Sequence, residues 1–137
     1  MITKLSHATL FVTSQDKAYD FYVNKLGFRV NTDMPMEDGL RWLTVNAPDQ
    51  PDLELVLAEP QAPMVEADLI PHMQALLKRD AMGGGVWETA DCRATYAEMK
   101  AKGVLFTKDP TEEFYGIEAL FHDGCGNWFS LTERKAE

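Results

Sequence analysis

The sequence predicts an α+β fold built from two repeated β-α-β-β-β modules, whose strands form a curved mixed sheet around a cleft. Three observations carry this prediction. The chain repeats itself: an offset of 76 carries Thr13 onto Thr89, Ala18 onto Ala94, Gly27 onto Gly103, and Leu53-Glu54-Leu55 onto Phe129-Ser130-Leu131. Each copy holds one stretch with helical periodicity, bounded by a capping residue before it and a glycine after it. Each helix is followed by three short apolar runs bounded by turn residues, the signature of strands. At 137 residues the chain has the size of one ordinary domain. It divides into module one (1–60), a linker (61–82) and module two (83–137).

In module one a strand from Leu5 to Val12 runs into a helix capped by Ser14 or Asp16, whose side chains can accept from an orphan N–H. Ala18, Phe21, Tyr22 and Leu26 form its apolar stripe, and Gly27 stands where a helix needs a left-handed residue. Strands follow at about Arg29 to Thr32, Leu40 to Val45 and Leu53 to Ala58. The linker carries Pro63 and Pro71 and a short helix around His72 to Arg79. Module two repeats the order. A strand at Gly84 to Thr89 is followed by an Asp91 cap and a stripe of Cys92, Thr95, Tyr96 and Met99, ending at Gly103. Its last strands are about Leu105 to Thr107, Ile117 to His122 and Trp128 to Thr132.

The formal net charge is −9, from 13 Lys plus Arg against 22 Asp plus Glu. Such a chain repels phosphate backbones and anionic membrane surfaces, so neither nucleic acid nor a membrane is expected as a partner. No apolar run approaches the ~20 residues that span a bilayer. Two cysteines imply no disulfide framework, and with seven methionines and no leader pattern the expected compartment is a reducing cytoplasm.

Period two assigns the strand faces. Leu43, Val45, Leu55, Leu57, Phe129 and Leu131 suit the helix side. His7, Thr9, Phe11, Trp42, Thr44, Glu54, Trp128, Ser130, Leu120 and His122 then turn toward the cleft. Phe11, Trp42, Trp128, Ser130 and Leu120 are therefore the candidate ligand-binding residues, with the two tryptophans able to stack on a flat molecule. His7 and Glu54 project from two strands into one cleft. They read as half of a site for nickel, zinc, manganese or iron, as a general acid/base pair, or as a cleft histidine simply hydrogen-bonded to a carboxylate.

His7, Asp20-Phe21-Tyr22, Leu26-Gly27-Phe28 and Leu53-Glu54-Leu55 together resemble the N-terminal half of glyoxalase I and bleomycin-resistance proteins. Phe121-His122-Asp123-Gly124-Cys125-Gly126-Asn127 resembles the F-x-D-P-x-G-N turn of the same vicinal oxygen chelate superfamily, which includes the extradiol dioxygenases. The resemblance implies a metal ligand at four positions, which match His7, Glu54, Gly84 and Ser130; two of the four retain a ligand. It also implies antibiotic-binding proteins that use the cleft without metal, and homodimers that pair sheets between chains. The expected function is thus metal-independent small-molecule binding in an aromatic cleft, with no cofactor and a homodimeric state. The alternative is a metal-dependent lyase, isomerase or dioxygenase in which His7 and Glu54 are the metal ligands and catalytic residues. Two copies pairing their first modules would restore a site of two histidines and two glutamates.

Overall fold

The computed structural model describes residues 1–136, apart from the side chain of Asp38. Strand β1 (His7–Phe11) leads to helix α1 (Gln15–Tyr19), which continues directly as π-helix over Asp20–Lys25. Strands β2 (Arg29–Pro35), β3 (Arg41–Asn46) and β4 (Glu54–Ala58) complete the first module. Helix α2 (Ile70–Lys78) lies in the linker, with Pro71 in its first turn. The second module is β5 (Met82–Glu88), α3 (Cys92–Ala101), β6 (Leu105–Glu113), β7 (Gly116–His122) and β8 (Asn127–Arg134). The strands form two four-stranded mixed sheets, sheet A in the order β1-β4-β3-β2 and sheet B in the order β5-β8-β7-β6. The first strand of each module runs parallel to the last, and the other neighbours are antiparallel. Among the described residues, no helix is long and apolar enough to cross a membrane.

The caps explain where the helices begin. Of the two residues expected to cap α1 it is Ser14 that does so, accepting from Lys17 N, and Asp91 accepts from Ala94 N in the same way. A second device, absent from the sequence reading, is duplicated with them. Glu59 accepts from Gln15 N at 3.0 Å and Glu133 accepts from Cys92 N at 2.9 Å, so a carboxylate just beyond β4, or near the end of β8, holds a free N–H of each helix start. Gly27 has φ +75°, the left-handed conformation expected where that helix ends.

The hydrogen-bond register corrects the single repeat offset. The caps Ser14 and Asp91, and the first helical residues Gln15 and Cys92, are 77 apart. The offset becomes 76 from Gly27 to Gly103, because the π-helical turn gives the first helix one residue that α3 lacks. After the β3–β4 connection it falls to 74. Val45 pairs with Leu55 and Phe121 with Phe129, which matches Leu55 to Phe129. Glu54, which pairs with His7, is therefore the counterpart of Trp128, and Ser130 is the counterpart of Val56.

Both sheets turn their helix side to one shared core. Ala18, Phe21 and Tyr22 pack with Leu43, Val45 and Leu57 of sheet A and with Phe121, Phe129 and Leu131 of sheet B. Phe21 stacks on Phe121 with ring centroids 6.3 Å apart, and Phe28 meets Trp87 edge-on at 5.3 Å. A polar staple joins the modules at one end: Tyr22 Oη donates to Asp123 at 2.7 Å and Asn127 Nδ2 donates to the Phe11 carbonyl at 2.8 Å. Trp42, Thr44 and Glu54 on sheet A, and Trp128 and Ser130 on sheet B, alternate with the core residues and so lie on the opposite faces.

Candidate functional site

The outward face of sheet A carries a pocket of about 310 Å³. Its floor is Trp42, Val56 and Ala58; its walls are Met36 and Leu40 from the β2–β3 loop, and Pro63 and Met64 from the linker. These are two strands of one module and the segment leading out of it, so the pocket is apolar because alternate positions of β3 and β4 that face away from the core are also apolar. Gln15 ties the pocket together by donating from Nε2 to the carbonyls of Arg41 and Leu57, both at 2.9 Å. Arg41 also lines it, but its guanidinium is engaged by Asp33 at 2.8 and 2.9 Å and by Asp16 at 2.8 Å. Those bonds hold Arg41 above its ordinary range and the Asp33 carboxyl below its own. The cation that could have met a ligand carboxylate is thus neutralised within the fold.

Below the pocket on the same face, His7 Nε2 meets Glu54 Oε2 at 3.0 Å, and Thr44 Oγ1 donates to Glu54 Oε1 at 2.8 Å. His7 Nδ1 lies 2.9 Å from Ser6 Oγ. The two residues are brought together, as direct partners in the register of β1 and β4, and each already has its hydrogen bonds. A glyoxalase-type metal shell needs more donors than this. The counterpart of His7 on sheet B falls in the Gly83-Gly84 bulge, the counterpart of Glu54 is Trp128, and the Ser130 hydroxyl donates to Glu118 at 2.6 Å. Among the described residues, no three His, Cys, Asp or Glu side chains gather closely enough to hold a metal ion. The donor set does not fit the family's metal.

Of the five residues expected to bind ligand, Trp42 lines the pocket. Phe11 lies on edge strand β1, opposite Ala58, and does not line this pocket. Trp128, Ser130 and Leu120 belong to sheet B. Trp128 is 39% exposed and lies over the triglycine: a Cβ on Gly84 would stand 3.5 Å from its ring, and one on Gly83 only 2.6 Å from its carbonyl oxygen. The close approach accounts for Gly83, and the left-handed φ of +94° accounts for Gly84.

The equivalent face of sheet B carries a polar cluster beside Trp128 and Leu120. Glu118 accepts from Ser130, Tyr115 and Lys108, and Lys108 also bonds Glu113 at 2.8 Å. Burial pushes the Glu118 carboxyl up, but the bonds from Ser130, Tyr115 and Lys108 outweigh it and hold it below its ordinary value. A depressed carboxylate stabilises the fold above its unfolded value near 4.5, and that contribution disappears as pH falls through the folded value. We expect Glu118→Gln to lower stability at neutral pH by about 1–2 kcal/mol. Below about pH 4.5 the variant should lose stability less steeply than the parent chain, as measured by urea unfolding across the acid range; identical acid slopes would contradict the assignment. His122, which was also expected to face the cleft, is half-buried with Nδ1 3.4 Å from Asp80, and among the described residues that atom has no hydrogen bond. Cys92 and Cys125 are both buried and free, and burial pushes both thiols up, so neither is an activated thiolate.

Two β-α-β-β-β modules, stapled by the turn Asp123 to Asn127 and carrying a pocket on an outward sheet face, define the class of duplicated-module α+β folds. The chain belongs to the glyoxalase/bleomycin resistance protein/dioxygenase superfamily, whose family model it matches over residues 4–131. It is 33% identical over 131 residues to the uncharacterised protein YurT of Bacillus subtilis (strain 168), covering 96% of this chain and 99% of that one. Among solved structures it is similar to UcmS2, at 41% identity and a TM-score of 0.88 over 96% of this chain and 98% of that one. It is also similar to TnmS3, an antibiotic binding protein from Streptomyces sp. CB03234, at 30% identity and a TM-score of 0.76 over 98% of both chains.

Proposed function

We propose that this protein binds a flat, neutral, largely apolar small molecule on the outward face of sheet A, with Trp42 as its platform and no metal in the site. The observation that carries the reading is the pocket itself: Trp42, Val56, Ala58, Leu40 and Pro63 offer apolar surface, while the cation beside them, Arg41, is already paired with Asp33 and Asp16. About 310 Å³ is at the lower end of the ~300–1,000 Å³ usual for drug-sized ligands. The similarity to an antibiotic binding protein over 98% of the chain supports binding of a small molecule.

The proposal includes a homodimer. Trp42 and Trp128 occupy two different sheets, each on the side away from the shared core, so sheet A of one copy and sheet B of a second can form opposite walls of one cleft. Exposed apolar side chains on both modules, Met34 and Met36 on one and Val86 and Trp128 on the other, support burial of these surfaces in an assembly. His7 and Glu54 then serve as a hydrogen-bonded pair at the margin of the site.

A second reading rests on the geometry of that pair: Glu54, oriented by Thr44 and His7, abstracts a proton from a bound ligand. Calorimetric titration with nickel, zinc, manganese and ferrous iron, together with Glu54→Gln, separates the readings. Weak metal binding indifferent to His7→Ala and Glu54→Ala, with neutral-ligand affinity retained in Glu54→Gln, is the result expected. Stoichiometric metal binding lost in both alanine variants would overturn the metal-free reading, and turnover abolished by Glu54→Gln alone would favour proton abstraction.

A further inference from the structure

A second pocket, of about 210 Å³, opens at the seam between the modules. Its apolar interior is formed by Phe28 from module one and by Trp87, Met99, Phe121 and Leu131 from module two. Met99, Phe121 and Leu131 are buried, and Trp87 and Phe28 are partly so. This pocket shares no lining residue with the Trp42 pocket, and Trp87, Phe121 and Leu131 lie on the core side of sheet B. The site exists only because the modules pack together.

Two features point to the chemistry of an occupant. Trp87 Nε1 is buried with no hydrogen-bond partner among the described residues, so the pocket wall contains a donor that a ligand acceptor would satisfy. At the rim stand Lys25, at the end of the first helix, and Lys102, at the end of α3. Lys25 Nζ lies 3.9 Å from where a Gly103 Cβ would be, which places it beside the same helix terminus. Neither lysine forms an ion pair among the described residues, whereas the rim carboxylate Glu88 is engaged by Arg134 at 3.1 Å. Glu98 is the remaining acidic group at the rim. In a chain of net charge −9, two uncommitted lysines beside an apolar pocket form a local anion-attracting edge.

We propose that this seam pocket is a binding site for a small aromatic acid: a single ring in the apolar interior, an anionic head at Lys25 and Lys102, and an acceptor within reach of the Trp87 indole N–H. Size sets the limit of one ring or a fused pair. An apolar cavity of ~150 Å³ takes up benzene, and drug-sized ligands need more than this pocket offers. The site is independent of the reading given for sheet A.

The test is an NMR titration of the whole protein with benzoate and with indole-3-carboxylate, each beside its neutral amide. The indole N–H resonances of Trp87, Trp42 and Trp128 are distinguished by Trp42→Phe and Trp128→Phe. Either acid should shift the Trp87 resonance saturably at millimolar concentration while leaving that of Trp42 in place. The amides, and the double variant Lys25→Gln/Lys102→Gln, should each bind about tenfold more weakly, as expected for loss of two partly exposed charge contacts. Circular dichroism establishes that the double variant remains folded. A Trp87 resonance that does not move, equal affinity for acid and amide, or full affinity in the lysine variant would overturn the proposal. A shift confined to Trp42 would assign the probe to sheet A and likewise overturn it.

Discussion

Replacing Asp123 with alanine should lower the unfolding free energy by about 3–5 kcal/mol, the largest loss expected from any single polar substitution in this chain. Asp123 is 2% exposed and accepts four hydrogen bonds: from Tyr22 Oη at 2.7 Å, Cys125 N at 2.9 Å, Asn127 N at 3.0 Å and Asn127 Nδ2 at 2.9 Å. Truncation strands two backbone N–H groups, a phenol and an amide in a region closed to water. Each stranded donor costs about 1–3 kcal/mol, reduced when neighbours relax or a water enters the vacated space. The loss is a large fraction of the ~5–15 kcal/mol by which domains are stable. Urea unfolding should show the midpoint falling with little change in slope, and Tyr22→Phe should lose only about 1 kcal/mol because it removes one donor and strands no other. A loss under 1 kcal/mol in Asp123→Ala would mean that the turn does not staple the modules.

Trp42→Ala should weaken binding of a flat neutral aromatic by about 10- to 100-fold, the equivalent of ~1–3 kcal/mol of lost stacking and apolar contact. Trp42 forms the largest aromatic surface of the sheet A pocket, and its neighbours Val56 and Ala58 are too small to replace it. Calorimetry with 2-naphthol, a neutral two-ring probe, reads the effect directly, and Trp42→Phe should recover most of the affinity. Because Trp42 is half-buried on the side away from the core, its removal should leave the melting temperature within a few degrees. Affinity within twofold of the parent chain would show that the probe binds elsewhere. Trp128→Ala provides a second reading of the same experiment: a comparable loss is expected if a second copy closes the cleft, and no loss if sheet A acts alone.

Much of the fold was legible because it is written in short-range physics. Alternation placed Leu43, Val45, Leu55 and Leu57 on one face and Trp42, Thr44 and Glu54 on the other, and the structure keeps that division. Ser14, Asp91 and Gly27 marked helix ends because capping and left-handed geometry are properties of a few neighbouring residues. The partnership of His7 and Glu54 was also visible, since both faced the cleft from strands of one module. The paired carboxylates Glu59 and Glu133 were missed, although an acidic residue at the end of each module's last strand was the available signal.

What the sequence determined by itself, then, is the duplicated module, its elements and the two faces of each strand, all set by interactions within a few residues. Tertiary structure alone decided the register and the partners. A connection before β8 that is shorter by two residues than the one before β4 moved Glu54 from the counterpart of Ser130 to that of Trp128, a change that period and spacing do not report. The same holds for Tyr22 and Asp123, which meet across 101 residues, and for the two tryptophans, which the fold places on separate sheets. Such contacts depend on how two apolar faces dock to exclude water, and the hydrophobic effect that drives docking is non-directional. It commits each face to burial without naming the surface that buries it.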